Sequence, residues 1–360
     1  MNNNRKIAIV SASLGVGGAE RFAAMLGTML HGLGYEIHHL IILDFVTYEY
    51  EGKLVNLGKM FAQEQGVFRA VKKGKYIARY LHDNQIDTII DLRSRPMLVR
   101  EIFTKWIYGQ RKTYFMVHSA NLEMYFPKSR FWAKYLYTKA TKIVTVSKAI
   151  EQKIQAQYDL TNTQTIYNPV IFTDAVSDKP SGLPETYFLF FGRLEDDIKN
   201  LSLLLDAYAM SEAKAKGVHL VLLGDGSDKN KIAAKIQQKQ LGQFVTIIPF
   251  QKEVLPFIQH AKATVLTSRY EGFPMSLIES LAAGTPVISV DCESGPNEIV
   301  RNEVNGLLVE NHKPQALANA MNLFIADENL YRNCKNNAKQ SVEHLSLNAI
   351  TQAWQQLLNE

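Results

Sequence analysis

Apolar residues fall in short runs, and segments with helical spacing separate those runs. Ile7–Ser11 is an apolar run ending in small residues, the pattern of a buried strand. Phe22, Met25, Leu26, Met29, Leu30 and Leu33 then recur at helical spacing, Gly34 stops the helix, and Glu36–Leu43 is the next strand. Further strands are expected at Thr88–Leu92, Thr113–Val117 and Ile143–Val146. The segment from Asp174 to Pro184 is polar and rich in chain breakers, so it reads as a linker. Beyond it the alternation restarts. Strands are expected at Tyr187–Phe191, His219–Leu223, Val245–Ile248, Thr264–Thr267 and Val287–Val290, with helices from Ser202, from Lys229, over Met275–Ala283 and from Pro314 onward. This is an α/β pattern with parallel sheets, divided into residues 1–172 and 173–345. Open α/β sheets bind ligands at the carboxyl ends of their strands, so the cleft expected between two such units is the default site.

A chain of 360 residues is a natural size for two domains. No window is long and apolar enough to span a bilayer, and the polar Met1–Lys6 shows no secretory signal. These features predict a cytoplasmic protein. Cys292 and Cys334 are the only cysteines, far apart and outside any metal motif. The net charge of +5 is unevenly placed: residues 1–170 hold 23 Lys and Arg against 13 Asp and Glu, a net +10, and the remainder carries −5. A basic first half predicts an anionic partner there.

Four loops carry the candidate chemistry. Gly15–Glu20 offers glycines, Gly17 and Gly18 among them, at a helix start, where backbone can approach a ligand and N–H groups are unpaired. Counted from Gly15, the sixth position of a dinucleotide fingerprint is Glu20 rather than Gly, which weakens an oxidoreductase reading; a packing turn is the other alternative. Gly192-Arg193-Leu194, with Lys199 ahead of a helix, can hold a diphosphate, Arg as a fork and Lys as a point charge, or can simply be solvated charge. Gly224-Asp225-Gly226 is a strand end and turn that structure alone could explain. The fourth loop, Glu271-Gly272-Phe273-Pro274-Met275, leads to Glu279 on an otherwise apolar helix. A carboxylate there is costly unless it finds partners, and ribose hydroxyls would supply them.

Taken together these loops resemble the retaining GT-B glycosyltransferases of glycosyltransferase family 4. The resemblance runs over essentially the whole chain and adds Val117-His118-Ser119, Tyr167-Asn168-Pro169, Gly295-Pro296 and Asn305-Gly306 to the loops above. Glu271 and Glu279 stand at the family's E-x7-E spacing. It implies two Rossmann-like domains facing each other across a cleft, the first for the acceptor and the second for the nucleotide-sugar donor, with residues 346–360 returning to the first. By matched position, Arg193 and Lys199 hold the donor diphosphate, and Glu279 binds the ribose. Glu271 faces the transferred sugar, with backbone contacts from Gly272, Phe273, Pro274 and Met275. Gly17, Gly18, Gly192 and Gly224 flank the donor, His118 lies beside the sugar, and Pro249 and Phe250 fall where the family holds the base. The family needs no obligate metal or other cofactor. Here the Arg193–Lys199 spacing is six rather than five, with Glu195, Asp196 and Asp197 between, expected to turn to solvent. The resulting expectation is transfer of a hexose or N-acetylhexosamine from a UDP-sugar to a glycan or lipid-linked acceptor in surface polysaccharide synthesis.

The first half carries a second signal. Lys72, Lys73 and Lys75 alternate with Phe68, Val71, Tyr76 and Ile77, and Lys105-Trp106 and Phe131-Trp132 also mix bases with aromatics. Basic amphipathic helices with aromatic anchors can lie on the anionic inner face of a cell membrane; a core stripe with a solvated charged face is the alternative. Stacking platforms and motifs for nucleic acid are missing. Two rivals stay open: an NAD(P)-dependent oxidoreductase using the Gly15 loop, and a sugar-nucleotide-binding protein without turnover.

Overall fold

The computed structural model describes residues 5–15 and 17–360. Met1–Asn4 and Val16, part of the N-terminal segment and of the first glycine loop read above, lie outside the described residues. The chain divides into two compact units, one running to Asn168 and taking in Asn348–Glu360, the other Pro169–Leu347.

The first unit is built on a sheet of β1 (Lys6–Ser11), β2 (Glu36–Ile41), β3 (Lys53–Asn56), β4 (Thr88–Asp91), β5 (Lys112–Val117), β6 (Lys142–Thr145) and β7 (Thr163–Thr165). Their order is β3-β2-β1-β4-β5-β6-β7, and every pairing is parallel. The central strands are buried almost end to end, as sheets covered on both faces require. Helix Gly18–Gly32 lays Phe22, Leu26, Met29 and Leu30 on the sheet. Helix Leu347–Asn359, the last in the chain, joins this unit because its apolar stripe needs cover: Ile350, Trp354, Leu357 and Leu358 are buried. Trp354 lies 6.4 Å from the Phe22 ring, and Arg5 caps the helix end with a hydrogen bond to Leu358 O at 2.9 Å.

The second unit has six strands: β8 (Tyr187–Phe191), β9 (His219–Leu223), β10 (Val245–Ile248), β11 (Ala263–Leu266), β12 (Val287–Asp291) and β13 (Gly306–Glu310). The order β10-β9-β8-β11-β12-β13 again reverses direction beside the unit's first strand. The crossover point lies between β8 and β11, the position at which open α/β sheets bind ligands. Helices Leu201–Met210 and Pro314–Ala326 cover one face through Leu204, Leu205, Leu317, Met321 and Phe324. The largest of these side chains each contribute about 1.5–3 kcal/mol by burial.

Two expectations change here. The segment after Asp174 is not a free linker: Gln259 bonds Ser177 N and Ala175 O, His260 bonds Ser177 O, and Lys339 pairs with Asp174 at 3.1 Å. It is irregular backbone fastened to the second unit. The polar strand β7 and the edge strand β3 were not visible in the apolar pattern, because β3 buries one side chain, Val55, and β7 consists of Thr, Gln and Thr.

Candidate functional site

The loops leaving β8 and β11, on either side of the crossover point, are laced together. Thr267 Oγ1 donates to Lys199 O at 2.8 Å, Arg269 N donates to Ile198 O at 2.8 Å, and the Arg269 guanidinium donates to Asn200 Oδ1 at 3.1 Å. Within this frame Lys199 Nζ donates to Glu271 Oε1 at 2.7 Å, and Ser268 Oγ donates to the same oxygen at 2.6 Å. Lys199 and Glu271 are 18% and 13% exposed, so the pair is sheltered yet reachable. Below it, burial first and then the Glu271 carboxylate push the Cys292 thiol up to about 12, leaving an inert thiol.

The acidic insertion does not point wholly outward as expected. Asp196 is 5% exposed and turns in, accepting from Ser202 N at 2.7 Å, from Ser202 Oγ and from Lys235 Nζ at 3.0 Å. Burial works to raise its pKa, but these donors outweigh burial and hold it below the usual carboxylate range. Asp197 is exposed, and Glu195 pairs with Arg193 at 3.1 Å. Arg193 itself is 63% exposed, its guanidinium at the surface beyond β8.

Glycines let these loops approach. A Cβ on Gly224, where φ is +148°, would lie 2.0 Å from Gly192 O. Leu194 N donates to Asp225 O at 2.9 Å, and Asp225 Oδ2 accepts from Phe250 N at 3.0 Å. Gly192, Gly224, Pro249 and Phe250 thus gather at the carboxyl ends of neighbouring strands β8, β9 and β10, with the Phe250 ring 70% exposed. On the other side of the crossover, Ser294 Oγ donates to Gly272 O at 2.9 Å, and a Cβ on Gly295 would lie 2.4 Å from Pro274 Cδ. These contacts fix Gly272, Phe273 and Pro274 ahead of helix Met275–Ala282, which carries Glu279 half-buried one turn in.

In the first unit His118 directly follows β5. Its ring meets Phe22 edge-on at 5.4 Å, and its Nε2 is buried without a hydrogen-bond partner among the described residues. Burial, helped by the charge of Arg95, pushes its pKa down to about 3, so the imidazole is neutral at physiological pH. Gly17 has φ +139° and Gly18 has open space where a Cβ would stand. Gly15 has a packing reason instead: a Cβ there would lie 1.8 Å from the Phe45 ring.

Several residues that position these groups escaped sequence reading. Thr267, Ser268, Arg269 and Asn200 hold the Lys199–Glu271 frame; a polar Thr-Ser pair directly after an apolar strand is the signal that could have found the first two. Arg95, 1% exposed, also escaped it. Its guanidinium donates to Met116 O at 3.1 Å and lies 4.9 Å over Phe115, pinning the strand that leads into His118.

Two parallel-sheet Rossmann-like units, the second with charged loops astride its crossover point, define the GT-B class. Comparison with known families makes this specific: "Glycosyltransferase Family 4" matches residues 16–172 and "Glycosyl transferases group 1" matches residues 174–341. The chain belongs to these glycosyltransferases. It is 24% identical to the amylovoran biosynthesis glycosyltransferase AmsD of Erwinia amylovora over 95% of this chain and 96% of that one. It is 28% identical to the N-acetylgalactosamine-N,N'-diacetylbacillosaminyl-diphospho-undecaprenol 4-alpha-N-acetylgalactosaminyltransferase of Campylobacter jejuni, over 93% and 94%. Among solved structures, Anabaena Alr3699/HepE in complex with UDP shares the fold with a TM-score of 0.76 at 20% identity, covering 98% and 99% of the two chains.

Proposed function

We propose that this glycosyltransferase moves a hexose or N-acetylhexosamine from a UDP-sugar to a glycan or lipid-linked acceptor in surface polysaccharide synthesis, with retention at the anomeric carbon. The observation that carries the reading is the Lys199–Glu271 pair at the crossover point, 2.7 Å apart and sheltered. A nucleoside diphosphate must leave the anomeric carbon through an oxocarbenium-like transition state, with negative charge growing on the leaving phosphate. Arg193 meets that charge as a fork, and Lys199 does so as a point charge, with no resident metal required. Glu271, once Lys199 turns to the phosphate, clamps a sugar hydroxyl; Glu279 takes the ribose. The exposed Phe250 ring offers a flat apolar face to the base. His118 offers a neutral imidazole to a sugar hydroxyl.

The acceptor assignment is supported by the names of the relatives, one of which acts on a diphospho-undecaprenol-linked sugar, and the choice of UDP by the ligand of a fold neighbour. A lipid-linked acceptor places the chain at the inner face of the cell membrane. The experiment is a thermal-shift screen of nucleotide sugars on the wild type and Glu279→Ala, followed by NMR of the product anomer. A UDP-sugar should stabilise the wild type and not the variant, and the product should keep the donor's anomeric configuration. No stabilisation by any nucleotide sugar, or an inverted product, contradicts the reading.

A further inference from the structure

The loop between β8 and helix Leu201–Met210 carries one residue more between Arg193 and Lys199 than the family spacing. Lys199 consequently stands on a turn. Asp196–Lys199 form a single helical turn, and Asn200 follows in the left-handed region at φ +50°. A lysine ammonium rides on a long flexible stem, so its aim depends on how firmly the backbone beneath it is held.

One side chain holds that backbone. Helix Leu201–Met210 starts after Asn200, yet Asn200 does not cap it, because its side chain is taken by the Arg269 guanidinium. Asp196 supplies the cap instead. Its Oδ1 accepts from Ser202 N at 2.7 Å, satisfying an amide that a helix start leaves open. This bond closes the turn, and Lys199 is the middle residue between its two ends. Oδ2 accepts from Ser202 Oγ, and from Lys235 Nζ at 3.0 Å on helix Lys229–Gln238. Asp196 N donates to Asp228 Oδ2 at 2.8 Å, at the start of that same helix. The far side of the turn is tied to the loop after β11 through Ile198 O and Lys199 O. Helix capping alone asks for none of this. Ser147 and Asp327 cap their helices from the residue directly before the helix, whereas Asp196 reaches across the turn to do so.

We propose that Asp196, fixed by Ser202 and Lys235, is the positioning residue for Lys199: it closes the longer turn so that the ammonium is presented to the donor diphosphate. The inference rests on the assignment of Lys199 to that diphosphate.

Charge and position predict opposite signs. A carboxylate close to Lys199 in the chain repels a diphosphate, so its removal should tighten UDP binding if charge alone matters. If it acts through Lys199, its removal should weaken UDP binding. The test is calorimetry of UDP with the full chain in a double-variant cycle. Asp196→Ala should weaken UDP binding about tenfold, as a misplaced binding group does. Asp196→Asn keeps an oxygen for Ser202 N and should fall between Asp196→Ala and the wild type. In the Lys199→Met background, Asp196→Ala should weaken UDP binding no further. Asp327→Ala is the control for lost capping: it removes the bond to Leu330 N, and should lower the melting temperature while leaving UDP affinity unchanged. If Asp196→Ala does not fold, Asp196→Asn carries the cycle. UDP binding unchanged or tighter in the Asp196 variant overturns the positioning role. So does an equal loss with and without Lys199, or an equal loss in Asp327→Ala. UDP binding unaffected by Lys199→Met overturns the donor reading, and this inference with it.

Discussion

Lys199 and Glu271 lie 72 residues apart in sequence and 2.7 Å apart in space, each on a loop leaving one side of the β8–β11 crossover. The pair joins the group assigned to the donor phosphate to the group assigned to the sugar. Each partner masks the other's charge, and on the proposed reading a donor diphosphate would compete with Glu271 for Lys199.

This coupling can be measured. Lys199→Met and Glu271→Gln should each lower kcat/KM by about 10²–10³, the usual effect of removing one group that stabilises transition-state charge. Each should also cost about 1–3 kcal/mol of stability by leaving a sheltered polar partner. Because the residues touch, the double variant should lose less than the sum of the two, read from urea unfolding and steady-state kinetics. Strict additivity in both readouts shows that the pair does not act as a unit.

His118 predicts a pH dependence of stability. Folded, its imidazole stays neutral until about pH 3; unfolded, it takes up a proton near its ordinary 6.5. The unfolded state therefore gains protons first as pH falls. The contribution is fully present above 6.5 and is lost progressively toward about 3. At about pH 5 the loss reaches at most about 2 kcal/mol. His39, held down to about 4 by burial, adds a second, similar contribution. The melting temperature of the wild type should fall between neutral pH and about pH 5, and His118→Asn should flatten part of that slope while His39→Asn flattens another part. An unchanged slope in His118→Asn means its ring is protonated in the fold.

The strands that carry these sites were legible because they are buried on both faces: β8 and β9 begin and end where their apolar runs do. The first unit's edge strands were not, since β3 buries only Val55 and β7 has no apolar residue to announce it. Candidate site residues stand out in the sequence where charge sits next to glycine or interrupts an apolar helix, as at Arg193 and Glu279. What pattern could not show is mutual position. Asp196 looks like its neighbour Asp197, yet one is buried on Ser202 and Lys235 and the other is exposed; the difference is made by side chains up to 39 positions away. Gly15 and Gly18 look alike for the same reason, and only packing separates a seat for Phe45 from open space.

That contrast among glycines is itself testable. A Cβ on Gly18 meets nothing within 4 Å, whereas one on Gly224 meets a carbonyl at 2.0 Å with φ at +148°. Gly224→Ala should therefore cost about 1–3 kcal/mol through strain and shifted loops. Gly18→Ala stands at a helix start, and its stability should change by no more than about 0.5 kcal/mol. If ligand approaches the Gly18 backbone, the KM for donor or acceptor should rise in Gly18→Ala with its melting temperature unchanged. A variant with both KM values and stability intact removes Gly18 from the site.

Arg193 separates function from stability most cleanly. Its guanidinium is 63% exposed, and its bond to Glu195 at 3.1 Å is a surface pair. Such pairs contribute about 0–1 kcal/mol, so Arg193→Ala should melt within a few degrees of the wild type. The same change should lower kcat/KM for the UDP-sugar by about 10²–10³ if the guanidinium meets charge on the leaving phosphate. Arg193→Lys keeps the charge but loses the fork, and should fall between the two. Glu195→Gln frees the guanidinium from a competing carboxylate, so UDP should bind at least as tightly as to the wild type. Calorimetry with UDP and initial rates with the UDP-sugar decide the matter. Full activity in Arg193→Ala would place the diphosphate elsewhere, whereas loss of UDP binding in Arg193→Ala with gain in Glu195→Gln puts it at the carboxyl end of β8.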